Sequence, residues 1–174
     1  MKKRFPKRSA KDVQQATLCF LVRSEEVLLA MKKRGFGVGF WNGVGGKVKG
    51  KETIRQAALR EALEEIGIEI KKMEKVALLH FYFPDDPNKA GWNQDVHVFL
   101  VNKWNGEPKE TEEMRPQWFT FTKISYRKMW SDDPLWLPKI LFGERVEGWF
   151  SFNDESKVVG YKIKNVGKGG KASF

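Results

Sequence analysis

Three glutamates, Glu61, Glu64 and Glu65, fall in a stretch built for helix. Thr53 to Ile66 holds Ala, Leu, Arg, Gln and Glu, with no interior Gly or Pro. Successive helical residues turn by about 100°, so Glu61 and Glu65 lie about 40° apart on one face, with Glu64 beside them. Carboxylates crowded in this way repel one another. A hard divalent cation such as Mg²⁺ relieves that repulsion and also accepts phosphate oxygens. Arg60, four residues before Glu64, is in ion-pairing reach and placed to hold a carboxylate. Leu59, Ala62, Leu63 and Ile66 form a separate apolar sector expected to pack on a sheet. Gly67 is expected to cap the helix. An isolated Arg-Glu-x-x-Glu-Glu run is more often a solvated face than a metal site. Gly46 and Glu52 upstream and Gly67 downstream complete a larger pattern that favours the metal site.

Written as spacing, Gly46 to Ile68 reads Gly, five residues, Glu, seven residues, Arg-Glu, apolar, any, Glu-Glu, any, Gly, apolar. The defining positions are Gly46, Glu52, Arg60, Glu61, Ala62, Glu64, Glu65, Gly67 and Ile68. This segment resembles the Nudix box of hydrolases that cut nucleoside diphosphates linked to another group. Further blocks begin at Met31-Lys-Lys-Arg-Gly-Phe-Gly and Phe40-Trp-Asn-Gly-Val-Gly-Gly-Lys. Asp95-Val-His-Val-Phe, Glu113-Met-Arg-Pro and Met129-Trp-Ser-Asp-Asp follow. Together they resemble the oxidised purine nucleoside triphosphatases of MutT-homolog type, from roughly Ala16 to Tyr161.

That resemblance implies an α/β fold, a single-domain Nudix α/β/α sandwich with a mixed sheet. It also implies Mg²⁺-dependent hydrolysis of 8-oxo-dGTP and 2-hydroxy-dATP to the monophosphate and pyrophosphate, with Mn²⁺ as a substitute metal. Carried over by position, the metal ligands are the Gly46 carbonyl, Glu61, Glu64, Glu65 and Glu113, and the catalytic carboxylates are Glu61, Glu64 and Glu65. The general base is left open among Glu64, Glu65 and Glu113. Lys47 approaches the phosphates and Lys32 stands at the rim. Asn42, Trp130, Asp132 and Asp133 hold the base, with Thr17, Phe36, Phe81 and Phe83 lining its pocket.

Plainer roles stand beside these. Asp133 before Pro134 suits a helix cap, and Asn42 before Gly43 suits a turn. Trp130 and the phenylalanines suit a core, and His80 and His97 sit in strand patterns and read as structural. Two adjacent carboxyls in a partly dry pocket share a proton, which would let Asp132 and Asp133 match either an oxidised guanine or an oxidised adenine. The Pro84–Asn93 loop is longer than the resemblance implies. Gln94 stands where an apolar pocket residue is typical, and Trp92 either adds a stacking surface or covers the sheet.

The elements that must carry these residues follow from the rest of the chain. Strands are expected at Ala16–Val22 and Glu26–Lys33 around a tight turn, then a glycine-rich loop at Arg34–Phe40 and a short extended segment at Trp41–Val48. Glu69–Phe83 is expected as two strands or one bent strand, and Asp95–Trp104 and Gln117–Phe121 as further strands. Ile124–Trp130 and Pro134–Leu141 are expected as short helices. Val146–Phe152 and Lys157–Ile163 form a hairpin around Asn153-Asp154-Glu155.

The chain has 174 residues with 41% hydrophobic content, enough for one substantial core. No apolar run is long enough to span a membrane, and Met1 to Lys11 is no secretory signal. One cysteine, Cys19, lies in an apolar run, suggesting a core thiol and a reducing cytoplasm. Six Lys/Arg in Met1–Lys11 and four Lys in Lys162–Phe174 account for the net charge of +10. The charge therefore belongs to basic tails at 1–12 and 164–174 flanking a domain at 13–163. A solvating role for the tails is favoured over a nucleic-acid tether. The expected partner is a small nucleotide, and a monomer is expected. The competing readings are a Nudix pyrophosphatase for other nucleoside polyphosphates or capped RNA ends, and a nucleic-acid-binding protein.

Overall fold

The computed structural model describes Phe5, residues 13–84 and residues 92–168. The expected N-terminal tail other than Phe5, the middle of the 84–93 loop and residues 169–174 lie outside the described residues. Among the described residues, eight strands form one mixed sheet: β1 (Gln14–Arg23), β2 (Glu26–Lys32), β3 (Trp41–Asn42), β4 (Glu69–Tyr82), β5 (Gln94–Asn105), β6 (Met114–Thr120), β7 (Glu144–Phe152) and β8 (Val158–Lys168). The order is β3-β2-β1-β5-β4-β7-β8, with β6 also pairing with β2. β1 runs parallel to β5, and β4 parallel to β7. Two helices, α1 (Ile54–Ile66) and α2 (Asp133–Leu141), cover the faces.

The alternation of β1 explains the two layers. Cys19 and Leu21 face α1, packing with Ala58, Ala62, Ile66 and Ile68, whereas Ala16 and Phe20 face α2, packing with Trp136, Leu137 and Ile140. Burial raises the Cys19 thiol to about 12, so it is a core group and not a nucleophile.

One feature of β1 positions the site. It pairs with β2 only near the hairpin turn, at Val22–Val27 and Arg23–Glu26, and then diverges toward β5. The segment after β3 fills the opening. Val44 exchanges two backbone hydrogen bonds with Cys19, Thr17 N–H donates to Gly46 O at 2.9 Å, and Val48 N–H donates to Gln15 O at 2.9 Å. Gly46 is thereby held at the C-terminal half of α1.

Several boundaries differ from those expected. Glu69–Tyr82 is one bent strand, one of the two forms expected for it, with register shifts between Ile70 and Ala77 against β5. Ile124–Trp130 is no helix. It holds one short 3₁₀ turn, Tyr126–Lys128, and a second, Phe121–Lys123, precedes it, so that Phe121 lies past the strand it was expected to end; extended Ile124 separates the two turns. β8 continues to Lys168, so residues 164–168 belong to the sheet and not to a tail.

Candidate active site

Thr53 opens α1 with a reciprocal capping box: its hydroxyl accepts from Gln56 N–H while the Gln56 side chain accepts from Thr53 N–H. Gly67 ends the helix at φ 71°, a left-handed conformation that suits glycine. The buried face differs from the expected sector. Ala57, Ala58, Ala62 and Ile66 are buried, Leu59 packs partly, and Leu63 is 58% exposed. The helix is rolled so that Glu61 (9% exposed) and Glu65 (4% exposed) also turn inward, toward the Gly45–Gly46 segment, and Leu63 turns out.

That roll sets the carboxylates on backbone. Gly45 N–H donates to Glu65 Oε2 at 2.9 Å. A Cβ at Gly46 would stand 2.6 Å from Glu61 Oε1, so only glycine lets the carboxylate lie there. Arg60 gathers the rest. It donates to both oxygens of Glu52 (2.5 and 3.1 Å), to Glu61 Oε1 (2.7 Å), to Glu64 Oε2 (3.1 Å) and to Lys47 O (3.2 Å). The guanidinium holds Glu52 down at about 2. Burial pushes Glu65 up to about 7 despite its bond from Gly45 N–H, and the Glu61 charge adds to the rise. Glu113 lies apart: its carboxylate accepts from Arg34 Nη2 at 2.8 Å, which holds it below its usual range. The Gly46 carbonyl accepts from Thr17 N–H and, at 3.5 Å, from the Thr17 hydroxyl.

Among the described residues, no three His, Cys, Asp or Glu side chains converge into a closed metal cage. The donors on and beside α1 are nonetheless all oxygens. A raised carboxylate beside a second buried carboxylate is the electrostatic setting that a hard dication relieves.

A cavity of about 240 Å³ adjoins this segment. It brings together Thr17, Lys32, Phe36, Asn42, Gly46, Lys47, Phe81, Phe83, Trp130, Asp132 and Asp133. Phe36, 60% exposed, stacks on Trp130 with ring centroids 4.9 Å apart, and Phe40 meets Trp130 edge-on at 5.0 Å. Phe81 and Phe83 pack on Phe152 at 5.3 and 4.8 Å. Trp92 touches both Phe36 (4.6 Å) and Phe83 (5.7 Å), so it extends the aromatic wall. Asn42 Oδ1 accepts from Gly43 N–H at 2.8 Å, a turn bond that leaves its amide hydrogens to donate.

Asp132 and Asp133 are fully buried. Asp132 Oδ2 accepts from the Trp136 indole N–H at 2.8 Å, and Asp133 Oδ2 accepts from Trp130 N–H at 3.0 Å. Neither side chain caps α2: Asp132 is the capping residue by position, without a side-chain bond to the helix end. Burial raises Asp132 to about 6, and burial plus the Asp132 charge raises Asp133 well above its usual value.

The histidines sit elsewhere. His80 lies between Asp95 Oδ1 (2.6 Å) and Glu147 Oε1 (3.1 Å), stacked on Trp149, and His97 meets Gln15 Oε1 at 2.7 Å. Sequence reasoning missed Phe40, Phe152 and Ser156 as cavity residues. Gln94 was noted only as a departure, and it too lines the cavity.

A glutamate-bearing helix seated on a glycine loop, in an α/β/α sandwich beside a deep aromatic cavity, marks a nucleotide hydrolase of the Nudix class. A NUDIX-domain model matches residues 12–140; the chain belongs to the Nudix family and is an enzyme. It is 45% identical over 150 residues to an oxidized purine nucleoside triphosphate hydrolase of Danio rerio, spanning 86% of this chain and 94% of that one. A Mus musculus protein of the same description is 42% identical with the same coverage. Among solved structures, a mutator MutT protein from Bacillus halodurans matches with a TM-score of 0.76 at 25% identity, over 87% of this chain and 98% of that one. Nudix hydrolases generally use divalent metal ions, and a small nucleotide substrate is consistent with the family. No helix among the described residues is long and apolar enough to cross a membrane.

Proposed function

We propose that this chain hydrolyses oxidised purine nucleoside triphosphates, 8-oxo-dGTP and 2-hydroxy-dATP, to the monophosphate and pyrophosphate. The observation that carries this reading is one cavity in which the buried Asp132–Asp133 pair and the Phe36–Trp130 stack share walls with Gly46 and Lys47, beside the glutamates of α1. Aromatic walls take a purine ring by stacking. A carboxyl pair that keeps a proton at neutral pH offers both a donor and an acceptor to the base edge. Asn42 adds amide donors, and Lys32 and Lys47 bring positive charge to the phosphate side.

We assign Glu61, Glu64 and Glu65, with the Gly46 carbonyl and Glu113, to a Mg²⁺ site that Mn²⁺ can also fill. When bound, the dication neutralises charge developing on phosphate oxygens during an in-line displacement. Arg60 fixes Glu61 and Glu64 for that role, and Gly45 N–H fixes Glu65. Glu113 must leave Arg34 to join them. The attacking water gives its proton to one of Glu64, Glu65 and Glu113, and the bond between the α- and β-phosphates breaks. We take residues 13–168 as the catalytic domain of a cytoplasmic monomer, with the basic ends solvating it.

The test is turnover of 8-oxo-dGTP, 2-hydroxy-dATP, dGTP and dATP with Mg²⁺, scoring pyrophosphate against phosphate. Preference for the oxidised bases with pyrophosphate release is expected. Equal turnover of all four would move the substrate to other nucleoside polyphosphates.

A further inference from the structure

One wall of the cavity comes from the turn between β7 and β8. Ser156 on that turn lines the cavity although it lies twenty-three residues beyond Asp133. Its backbone is held at φ 60°, left-handed, which serine adopts at a cost that glycine would not incur. Such a residue persists where the surroundings fix it, and here they do. Asn153 closes the turn from both sides: its Oδ1 accepts from Lys157 N–H at 2.8 Å, and its carbonyl accepts from Ser156 N–H at 3.0 Å. The far side is tied to the base-holding loop, since Val158 N–H donates to Ser131 Oγ at 3.0 Å, between Trp130 and Asp132 in sequence.

We infer that Ser156 is a base-binding, specificity-determining residue, its hydroxyl reading a polar edge of the purine beside the Asp132–Asp133 pair. This rests on the cavity being the base pocket. The strain at φ 60° and the double closure by Asn153 serve to present this residue to the cavity. A hydroxyl suits the task because it carries both a donor hydrogen and acceptor lone pairs, the complements of an oxo group and an amino group. One residue can therefore serve oxidised guanine and oxidised adenine alike.

Two substitutions separate this role from a purely structural one. Ser156→Ala removes the hydroxyl and keeps the backbone strained. Ser156→Gly removes the hydroxyl and relieves the strain. With whichever nucleotide the substrate panel ranks first, both variants are expected to raise KM roughly fivefold with kcat little changed, the scale of one neutral hydrogen bond. Inhibition by inorganic tripolyphosphate, which carries no base, should stay at its wild-type strength, and the Gly variant should melt no lower than wild type. A wild-type KM in Ser156→Gly would overturn the inference and leave Ser156 a turn residue. Equal weakening of nucleotide and tripolyphosphate would also overturn it, as general damage to the pocket. If the panel shows no preference for oxidised bases, the substrate reading falls, and the KM comparison still decides Ser156.

Discussion

The two ends of the site solve opposite electrostatic problems. At the α1 end, five oxygens from three carboxylates and one carbonyl gather around one guanidinium, and Arg60 offsets the charge of Glu52, Glu61 and Glu64 at 2.5–3.1 Å. At the base end, Asp132 accepts from an indole N–H and Asp133 from a backbone N–H, and burial keeps them toward the neutral form. The first end is arranged to present negative charge to a cation. The second is arranged to keep a proton. The difference follows from their surroundings: an arginine holds Glu52 ionised in one place, and burial pushes Asp132 and Asp133 toward the neutral form in the other.

The largest expected effect breaks the α1 end. Glu65→Gln keeps the bond from Gly45 N–H but removes the charge, and should cut kcat by roughly 10²–10⁴-fold. Its melting temperature should match or exceed wild type, because a buried, uncompensated carboxylate is removed. Turnover within tenfold of wild type, measured as pyrophosphate release, would remove Glu65 from the metal site. Next in size is Arg60→Ala, which frees Glu61 and Glu64 from their fixed orientation. It should raise the Mg²⁺ concentration for half-maximal rate by roughly 10- to 100-fold. An unchanged metal requirement would make Arg60 a purely structural tie between Glu52 and the helix.

The two ends also differed in how far they could be read from residues alone. Glu61, Glu64 and Glu65 lie in one contiguous run, so helical periodicity is enough to bring them together. Even there the roll of the helix is not legible. Helical spacing puts Leu63 in the packed sector, because residue type does not reveal that Gly45 and Gly46 draw two glutamates inward. The base pocket collects side chains from β1, β2, β3, β4 and the segments around residues 36, 94, 130–133 and 156. No local period links those positions, and only the resemblance named ten of them. Ser156 carried no signal: Asn153-Asp154-Glu155 marks a turn, but not that the turn leans over a cavity. The 3₁₀ turns at Phe121–Lys128 escaped for a related reason, since buried Ile124 and Met129 anchor that stretch through tertiary packing.

The base end is probed by its proton. In the folded chain burial raises Asp132 from its ordinary value to about 6, and burial with the Asp132 charge raises Asp133 well above its own ordinary value. Folded-state values above the unfolded ones mean that the fold binds protons more tightly. The stabilisation they contribute is fully present below about pH 4 and is lost as pH rises through about 6. The double variant Asp132→Asn, Asp133→Asn lacks this cost. By urea unfolding it should therefore exceed wild type at pH 7.5, with the advantage shrinking as pH falls and gone near pH 4. His97, held down at about 4 by burial, works the other way: its neutral form favours the fold, and stability falls as pH drops from about 6.5 to about 4 in both proteins. Taking the difference between the two proteins cancels that slope. An advantage that does not change with pH would mean that both aspartates are ionised in the fold. The same variant should lose roughly tenfold in preference for oxidised over ordinary purines, checked by the ratio of kcat/KM values.

The smallest expected effect tests the roll of α1, on which the contrast between the two ends depends. Leu63 is exposed, one residue before Glu64, and Leu63→Gln should change stability by less than about 0.5 kcal/mol. If Leu63 instead belonged to the packed sector with Ala62 and Ile66, burying a polar amide there would cost about 2 kcal/mol or more. The two outcomes are well separated in a urea titration. The larger loss would also carry a structural consequence. A helix turned to bury Leu63 swings Glu61 and Glu65 away from Gly46 and Gly45, and the carboxylates would then face solvent as an ordinary charged surface. A neutral Leu63→Gln together with an inactive Glu65→Gln ties the glutamates to the glycine loop by two independent measurements, one of packing and one of chemistry.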